Sequence, residues 1–337
     1  MRLHIVGLPH TVPTDAYSWC AYTQKMRRFC EMCKLNGWEP LPIWGQDMGR
    51  TIPPFDANTK LWQDFNTKAI ETIRASRQPD DWLCLMQGVT HKVIADAIPD
   101  IGKWAVEPGV GYTGVYTNFR AYESYAWMHT IYGGSDREPA NVDGRNYDSV
   151  IPNAYREEEF PLGTGNGGYY LYIGRLMQRK GMFEVFDIVA RTGIQLKIAG
   201  LPGDFTLPNP LPKNVEYVGV VEPEARAELM GKAIATLVPT RYIGPFEGVH
   251  AESLMCGTPV ISTDWGVFTE TIENGVNGFR CRTLAEFAEA VEKVKQFNRG
   301  LIHRAAHYRF GINQVRHQFA HWFKQLEIVR HGAGWYA

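Results

Sequence analysis

The chain has 337 residues, a length that favours two domains over one. Apolar residues make up 45% and charged residues 21%, the balance of a globular protein with a buried core rather than a disordered chain. Thirty-five basic against 36 acidic residues give a net charge of −1, so the overall charge argues against a nucleic-acid or anionic-membrane partner. In the first half, residues 3–8 read as a strand, 17–36 as a helix stopped by Gly37, and 39–44 as a second strand. A polar loop follows to residue 58. Then come a helix over 61–76, a strand over 82–86, a helix over 91–98 and a strand over 103–106. An aromatic-rich run over 116–131 reads as a helix, 133–148 is polar and Gly-rich, and Val150 begins a short strand. No run of 18 apolar residues occurs, so no membrane span is expected. The chain enters its first strand with no signal-peptide layout, which makes a cytoplasmic protein the expectation.

The second half repeats the plan after a Gly- and Pro-rich linker over 157–168. Strands are expected over 169–173, 196–199 and 215–218, and helices over 181–190 and 222–232. Amphipathic helices are expected over 283–297 and 313–330. Strands alternating with helices in both halves argue α/β architecture: two doubly wound, Rossmann-like domains with parallel sheets and an interdomain cleft. The expected division is 1–152 for a first domain, 153–310 for a second, and a C-terminal helix in 311–337 that packs back towards the first. Of six cysteines, Cys30 and Cys33 form a C-x-x-C. They share a helical face with Phe29 and Met32, so packing is the reading preferred over redox or metal chemistry.

Residues 237–272 carry the densest pattern. A short apolar run ends at Pro239, a Gly- and Pro-containing loop spans 241–248, and a short helix from Val249 is closed by Gly257. A further strand, loop and helix start follow. Two such units set two loops side by side at the carboxyl ends of parallel strands, where open α/β sheets bind ligands. The helix start at Gly248 and Val249 offers backbone N–H groups to an anion. Glu252, in or just past its first turn, would repel a phosphate and suits hydroxyls such as those of a ribose.

Two motifs give the chain a family likeness. One is Tyr172-Ile173-Gly174-Arg175-Leu176 with Lys180-Gly181. The other is Ala251-Glu252-Ser253-Leu254-Met255-Cys256-Gly257-Thr258-Pro259, followed by Gly266 and Glu270. The chain resembles retaining glycosyltransferases of the GT-B fold, family 4. Wording around Gly7-Leu8-Pro9-His10 and Tyr125-Ala126-Trp127-Met128-His129 is similar to short members found in phages. The resemblance implies transfer of a sugar, with retention, from a nucleoside-diphosphate sugar, a UDP- or GDP-sugar, to an acceptor that can be a glycan, a protein, a small molecule or modified DNA. It implies no cofactor.

The residues agree with that chemistry. A departing diphosphate needs its growing charge stabilised. No Asp-x-Asp occurs to hold a metal, but Arg175 and Lys180, five positions apart across a strand-to-helix loop, can supply two fixed cations. Taken alone, they also read as solvated surface charges. Donor-binding expectations fall on Gly174, Glu247, Gly248, Val249, Glu252 and, at the end of the first strand, Gly7. Glu107, read as lying just past the strand over 103–106, is a candidate for sugar contact or proton transfer, or a loop carboxylate in water. His10 reads as an acceptor or phosphate contact or a solvated histidine. His129 reads as a core histidine in preference to a sugar contact. Lys25, Arg27 and Arg28 read as a charged helix face. One departure stands out. The family carries two glutamates with seven residues between them, and the first falls here on Gly244, in Gly244-Pro245-Phe246-Glu247 where the family has Glu-Pro-Phe-Gly. Glu247 is three residues on and reaches that place only through a rearranged loop. A second reading is therefore a GT-B shell that binds nucleotide with weak or lost transfer.

Overall fold

The structure, a computed structural model, describes residues 1–13, 20–49, 51–134 and 146–332. The chain divides into two compact units, Met1–Ala154 with Ile312–Ala337, and Tyr155–Gly311. The first unit contains β1 (Arg2–Val6), α1 (Ala21–Leu35), β2 (Glu39–Ile43), α2 (Lys60–Ser76), β3 (Trp82–Leu85), α3 (Lys92–Ala97) and α4 (Pro99–Gly102). β4 (Val106–Val110), β5 (Phe119–Tyr122), α5 (Tyr125–Gly133) and β6 (Ser149–Val150) complete its N-terminal part. Its sheet runs β2-β1-β3-β4-β5-β6 with every neighbouring pair parallel. Helices cover both faces of such a sheet, so central strands read as continuous apolar runs. β3, Trp82-Leu83-Cys84-Leu85, is buried at every position.

The second unit contains β7 (Tyr170–Ile173), α6 (Met182–Thr192), β8 (Leu196–Ala199), β9 (Val215–Gly219), α7 (Pro223–Lys232) and β10 (Thr236–Val238). It continues through α8 (Val249–Met255), β11 (Val260–Thr263), α9 (Phe268–Thr271), β12 (Gly278–Cys281), α10 (Leu284–Lys293) and α11 (Arg299–Phe310). The sheet order is β12-β11-β10-β7-β8-β9, again parallel throughout. From β7 the chain winds outward through β8 and β9, then crosses back to β10 and winds the other way. The order therefore reverses between β7 and β10, and a reversal of this kind opens a crevice at the carboxyl ends of the two strands. The last helix, α12 (Ile312–Arg330), belongs to the first unit. Its Val315, Phe319, Trp322, Phe323 and Leu326 are buried in one cluster with Leu3, Phe29 and Trp82.

Several elements differ from the sequence reading. The run over 116–131 is not one helix. Phe119–Tyr122 is a fully buried strand, and the helix begins only at Tyr125, where Ser124 accepts the Trp127 N–H at 3.1 Å. Aromatic residues suit a pleated buried surface as well as a helix, and pairing with β4 decides between the two. The expected strand over 103–106 is displaced to Val106–Val110, because the Trp104 and Ala105 N–H groups close the α4 turn onto Ile101 and Gly102. β12 and α11 have no counterpart in the sequence reading. β12 is a four-residue strand, and α11 buries only Ile302, Ala306 and Phe310, a stripe one residue wide. Residues 17–19 of the expected first helix and 135–145 of the polar stretch fall outside the described residues.

Trp322 is 1% exposed, packs on Phe319 and Phe323, and donates its indole N–H to the Tyr147 carbonyl at 2.7 Å. Trp322→Ala is expected to destabilise the first unit by about 3–5 kcal/mol, seen as a lower urea midpoint. An unchanged midpoint would remove α12 from that core.

Candidate active site

In the second unit, the loops after β7 and β10 leave the sheet at its reversal. Gly181 ends the first loop at φ +83°, and a Cβ there would lie 2.0 Å from the Pro239 carbonyl oxygen of the second. Only glycine allows that approach. The Arg241 N–H then donates to the Arg179 carbonyl at 2.9 Å. This contact brings Lys180 Nζ to 2.7 Å from Glu247 Oε2. The Tyr242 hydroxyl donates to the other carboxylate oxygen, and the Arg179 guanidinium lies 4.6 Å from the Tyr242 ring centre. Arg175 is exposed, and among the described residues its side chain has no hydrogen-bond or ion-pair partner. Beside it, the space above Gly174 is bordered only by Tyr172 Oη at 3.6 Å and Lys180 Cδ at 3.9 Å. Arg175, Lys180, Gly174 and Glu247 thus lie at the exits of the two strands at the reversal.

Glu247 is the surprise. It sits at φ +57°, the one non-glycine residue with positive φ among the described residues. For an L-residue with a β-carbon this costs about 1–2 kcal/mol, and it persists where surrounding contacts hold it. His250 is one such contact. Its Nδ1 lies 2.7 Å from the Glu247 carbonyl oxygen, which also accepts the His250 backbone N–H at 3.2 Å. Burial among Phe246, Phe268 and Phe310 pulls the His250 pKa down to about 4. The ring is therefore neutral at physiological pH, with its proton on Nδ1 to donate. The left-handed turn aims the Glu247 side chain back along the loop. A Cβ on Gly244 would lie 2.2 Å from Glu247 Oε1, so the carboxylate fills the space of the side chain that Gly244 lacks. The rearrangement that sequence reasoning required of Glu247 is this left-handed residue.

Glu252 is 9% exposed and lies 3.4 Å from Arg226 of α7, whose Nε is buried without a partner. Sequence reasoning missed Arg226, as it missed Tyr242 and His250; no motif surrounds Arg226 in its charged helix. At Gly248 a Cβ would meet the Tyr155 hydroxyl at 2.5 Å, so the space there is taken. α8, which starts at Val249, has seven residues, and one N–H of its first turn is already bound to the Glu247 carbonyl.

The first unit has its own reversal, between β1 and β3. Gly7 follows β1, but the room beside it is filled by the protein: a Cβ would meet Met26 Sδ at 2.5 Å and Thr11 Oγ1 at 2.6 Å. It is a packing glycine rather than an opening for ligand. His10 is neither solvated nor open to a ligand. It is fully buried, with Nε2 3.4 Å from Cys20 Sγ, and burial lowers its pKa. His129 is exposed instead of belonging to the core, since α5 buries only Trp127, and its ring lies 6.4 Å from that of Tyr125. Lys25 is no part of a charged face: it is an ion pair with Glu123 and donates to the Gly109 carbonyl at 3.0 Å. Glu107 lies inside β4, not past a strand end, and is fully buried opposite Arg120. One of its oxygens accepts from Thr117 at 3.1 Å and lies 3.7 Å from Arg120 Nε. Among the described residues the other has no hydrogen-bond partner, nor do the hydroxyls of Tyr112 and Tyr116. Burial raises the Glu107 pKa to about 7. Cys30 and Cys33 are free and buried in the first unit's core, and burial pushes the Cys30 thiol up to about 12. No His, Cys, Asp and Glu cluster fit for a metal occurs among the described residues.

Residues 167–296 match the family model of glycosyl transferases group 1. That stretch holds β7, β10, α8 and both loops. Over 137 residues, 37% of this chain, the sequence is 30% identical to a glycogen synthase of Mycobacterium tuberculosis, and the match spans 33% of that relative's length. A glycosyltransferase involved in avilamycin A biosynthesis has the same fold, with a TM-score of 0.72 over 99% of both chains at 18% identity. So does Anabaena HepE in complex with UDP and glucose, with a TM-score of 0.66 over 96% of this chain and 99% of that one at 16% identity. The architecture is the GT-B fold.

Glu107 keeps its proton in the folded protein to about pH 7, whereas an unfolded glutamate loses it near 4.3. The stabilising contribution of the neutral buried acid is complete below the unfolded pKa and is lost as pH rises through about 7. Between those values the wild type is expected to lose about 5 °C of thermal midpoint relative to Glu107→Gln. Parallel pH profiles for the two proteins would contradict the raised pKa.

Proposed function

We propose that the protein is a glycosyltransferase of the retaining, family 4 type that moves a sugar from a nucleoside-diphosphate sugar to an acceptor without a metal. The observation that carries the reading is the placement of Arg175 and Lys180 at the end of β7, on the reversal of the second sheet and inside the stretch that matches glycosyl transferases group 1. As the bond between sugar and diphosphate breaks, negative charge grows on the leaving phosphate. A fixed guanidinium fork and an ammonium beside it stabilise that charge more than they stabilise the bound donor. Among the described residues the Arg175 side chain has no partner to give up. Glu252, steadied by Arg226, takes the ribose hydroxyls. The UDP held by HepE favours a uridine donor, with guanosine the other choice. As the family resemblance implies, the acceptor attacks on the face the diphosphate leaves, and the departing phosphate takes its proton. The first unit receives the acceptor, whether glycan, protein, small molecule or modified DNA; the near-neutral charge gives DNA no support. The alternative reading, in which nucleotide binds and transfer is weak or lost, rests on the missing carboxylate at Gly244; the Glu247 carboxylate beside that position supports transfer.

Arg175→Ala and Lys180→Ala are each expected to lower turnover by roughly 10²-fold or more, the scale of losing one preorganised charge donor. Steady-state rates with UDP-glucose and related donors measure this, and wild-type rates in both variants would sink the assignment. Turnover is also expected to survive excess EDTA, since a pair of cations takes the place of a metal; a strict need for added Mn²⁺ or Mg²⁺ would refute that mechanism.

A further inference from the structure

We infer that Glu247 is the specificity-determining residue that separates a nucleoside-diphosphate sugar from the bare nucleoside diphosphate, and that Gly244 and Glu247 work as one reciprocal unit. The inference rests on the nucleotide-sugar reading above. It starts from strain. Glu247 is held at φ +57° although glycine would adopt that backbone freely. A glutamate at 244 with a glycine at 247 could bring a carboxylate to this corner without the positive φ, since the side chain of residue 244 would start 2.2 Å from the position of Glu247 Oε1. The chain instead carries the strained arrangement and holds it from both ends. His250 binds the Glu247 carbonyl, and Lys180 and Tyr242 bind its two carboxylate oxygens. Strain held this firmly next to a proposed ligand cation marks a functional position.

The carboxylate has a definite effect on Lys180. At 2.7 Å it neutralises most of the charge that Lys180 could offer a phosphate, and it repels a bare diphosphate directly. A diphosphate carrying a sugar brings hydroxyl groups to the same corner. Each is a donor, and a carboxylate accepts from it in a charge-assisted hydrogen bond, about twice as strong as a neutral one. The Glu247 side chain is only 5% exposed and its geometry is fixed before any ligand arrives, so little ordering opposes the bond. One residue thus weakens binding of the bare nucleotide and strengthens binding of the nucleotide sugar, and selectivity is the difference between the two. Loss of the carboxylate frees Lys180, so the bare nucleotide binds at least as tightly as before while the sugar contact disappears.

Calorimetry with UDP and UDP-glucose, and with GDP and GDP-mannose, on the wild type, Glu247→Gln, Glu247→Gly, Gly244→Glu and the exchanged double variant Gly244→Glu/Glu247→Gly tests this. The readout is the ratio of the two dissociation constants within a pair, which a merely structural role would not move. The wild type is expected to prefer the sugar-bearing member of one pair by roughly tenfold or more. Glu247→Gln and Glu247→Gly should bring that ratio towards one without weakening the bare nucleotide. Gly244→Glu forces two carboxylates into one space and should lose the preference, and the double variant should regain it. A wild-type ratio retained in Glu247→Gln, or a folded double variant that behaves as Glu247→Gly does, overturns the role of Glu247 and leaves the nucleotide reading standing. Failure of the wild type to bind either nucleotide overturns that reading and this inference with it. Glu247→Gln keeps the size of the side chain and decides the case alone if an exchanged variant does not fold.

Discussion

The arrangement of the second unit's site depends on one close approach. Backbone meets backbone where Gly181 passes the Pro239 carbonyl, at a distance that no side chain would permit. The sheet order puts the ends of β7 and β10 side by side, but adjacent strands would still let their loops diverge. The glycine removes the steric gap, and the Arg241 N–H bonded to Arg179 fixes the register of one loop on the other. Lys180, one residue before Gly181, is thereby committed to the second loop, and its partner there is Glu247. A bulkier residue at 181 would displace the strand-end loops, and with them the cation, although the sheet beneath would be untouched.

Much of this was legible in the sequence, and the reasons are physical. Strand–loop–helix alternation follows from the apolar runs of a parallel sheet, so both sheets and most of their helices were readable. Arg175 and Lys180 were readable because glycines flank them at a strand end. The failures share a cause. Phe119–Tyr122 is short and aromatic, and only its pairing with β4 makes it a strand. β12 and α11 bury too few side chains to leave a periodic signal. His10, Lys25 and Glu107 were misplaced because charge and polarity in one dimension suggest solvent. Lys25 is buried against Glu123, far along the chain, Glu107 against Arg120 across the sheet, and His10 beside Cys20. The left-handed conformation of Glu247 had a signal too, since glycine and glutamate at 244 and 247 stand in reversed places relative to the family wording; what was missing was the backbone angle that makes the exchange equivalent.

The two units place polar groups in different ways. In the first, buried polar atoms gather near the ends of β3 and β4. Among the described residues, one oxygen of Glu107, the hydroxyls of Tyr112 and Tyr116 and both ring nitrogens of His91 have no hydrogen-bond partner. Burial holds Glu107 up at about 7 and pulls His91 down to about 3, so both favour their neutral forms. Unsatisfied groups of this kind stabilise nothing by themselves, and they supply capacity for hydrogen bonds to water or to a polar ligand. In the second unit acidic and basic side chains are set against one another in pairs: Lys180 with Glu247, Arg226 with Glu252, Arg241 with Glu184.

That difference bears on which groups meet a diphosphate. On the proposed function, an anion entering the second unit's loops would find Arg175 with no side-chain partner among the described residues and Lys180 already paired. Arg175 can engage phosphate oxygens at once, whereas Lys180 contributes in proportion to how far Glu247 is drawn off by another donor. Tyr242 limits that withdrawal, because its hydroxyl holds the second carboxylate oxygen while Arg179 lies against its ring. His250 limits it further, since moving the Glu247 backbone would break a buried bond in an apolar surround where no water replaces it. The carboxylate therefore stays in place and changes partners. On the proposed function, a sugar hydroxyl that donates to it would reduce its hold on Lys180 and release the ammonium towards the phosphate, which would couple recognition of the sugar to stabilisation of the leaving group at a single strained residue.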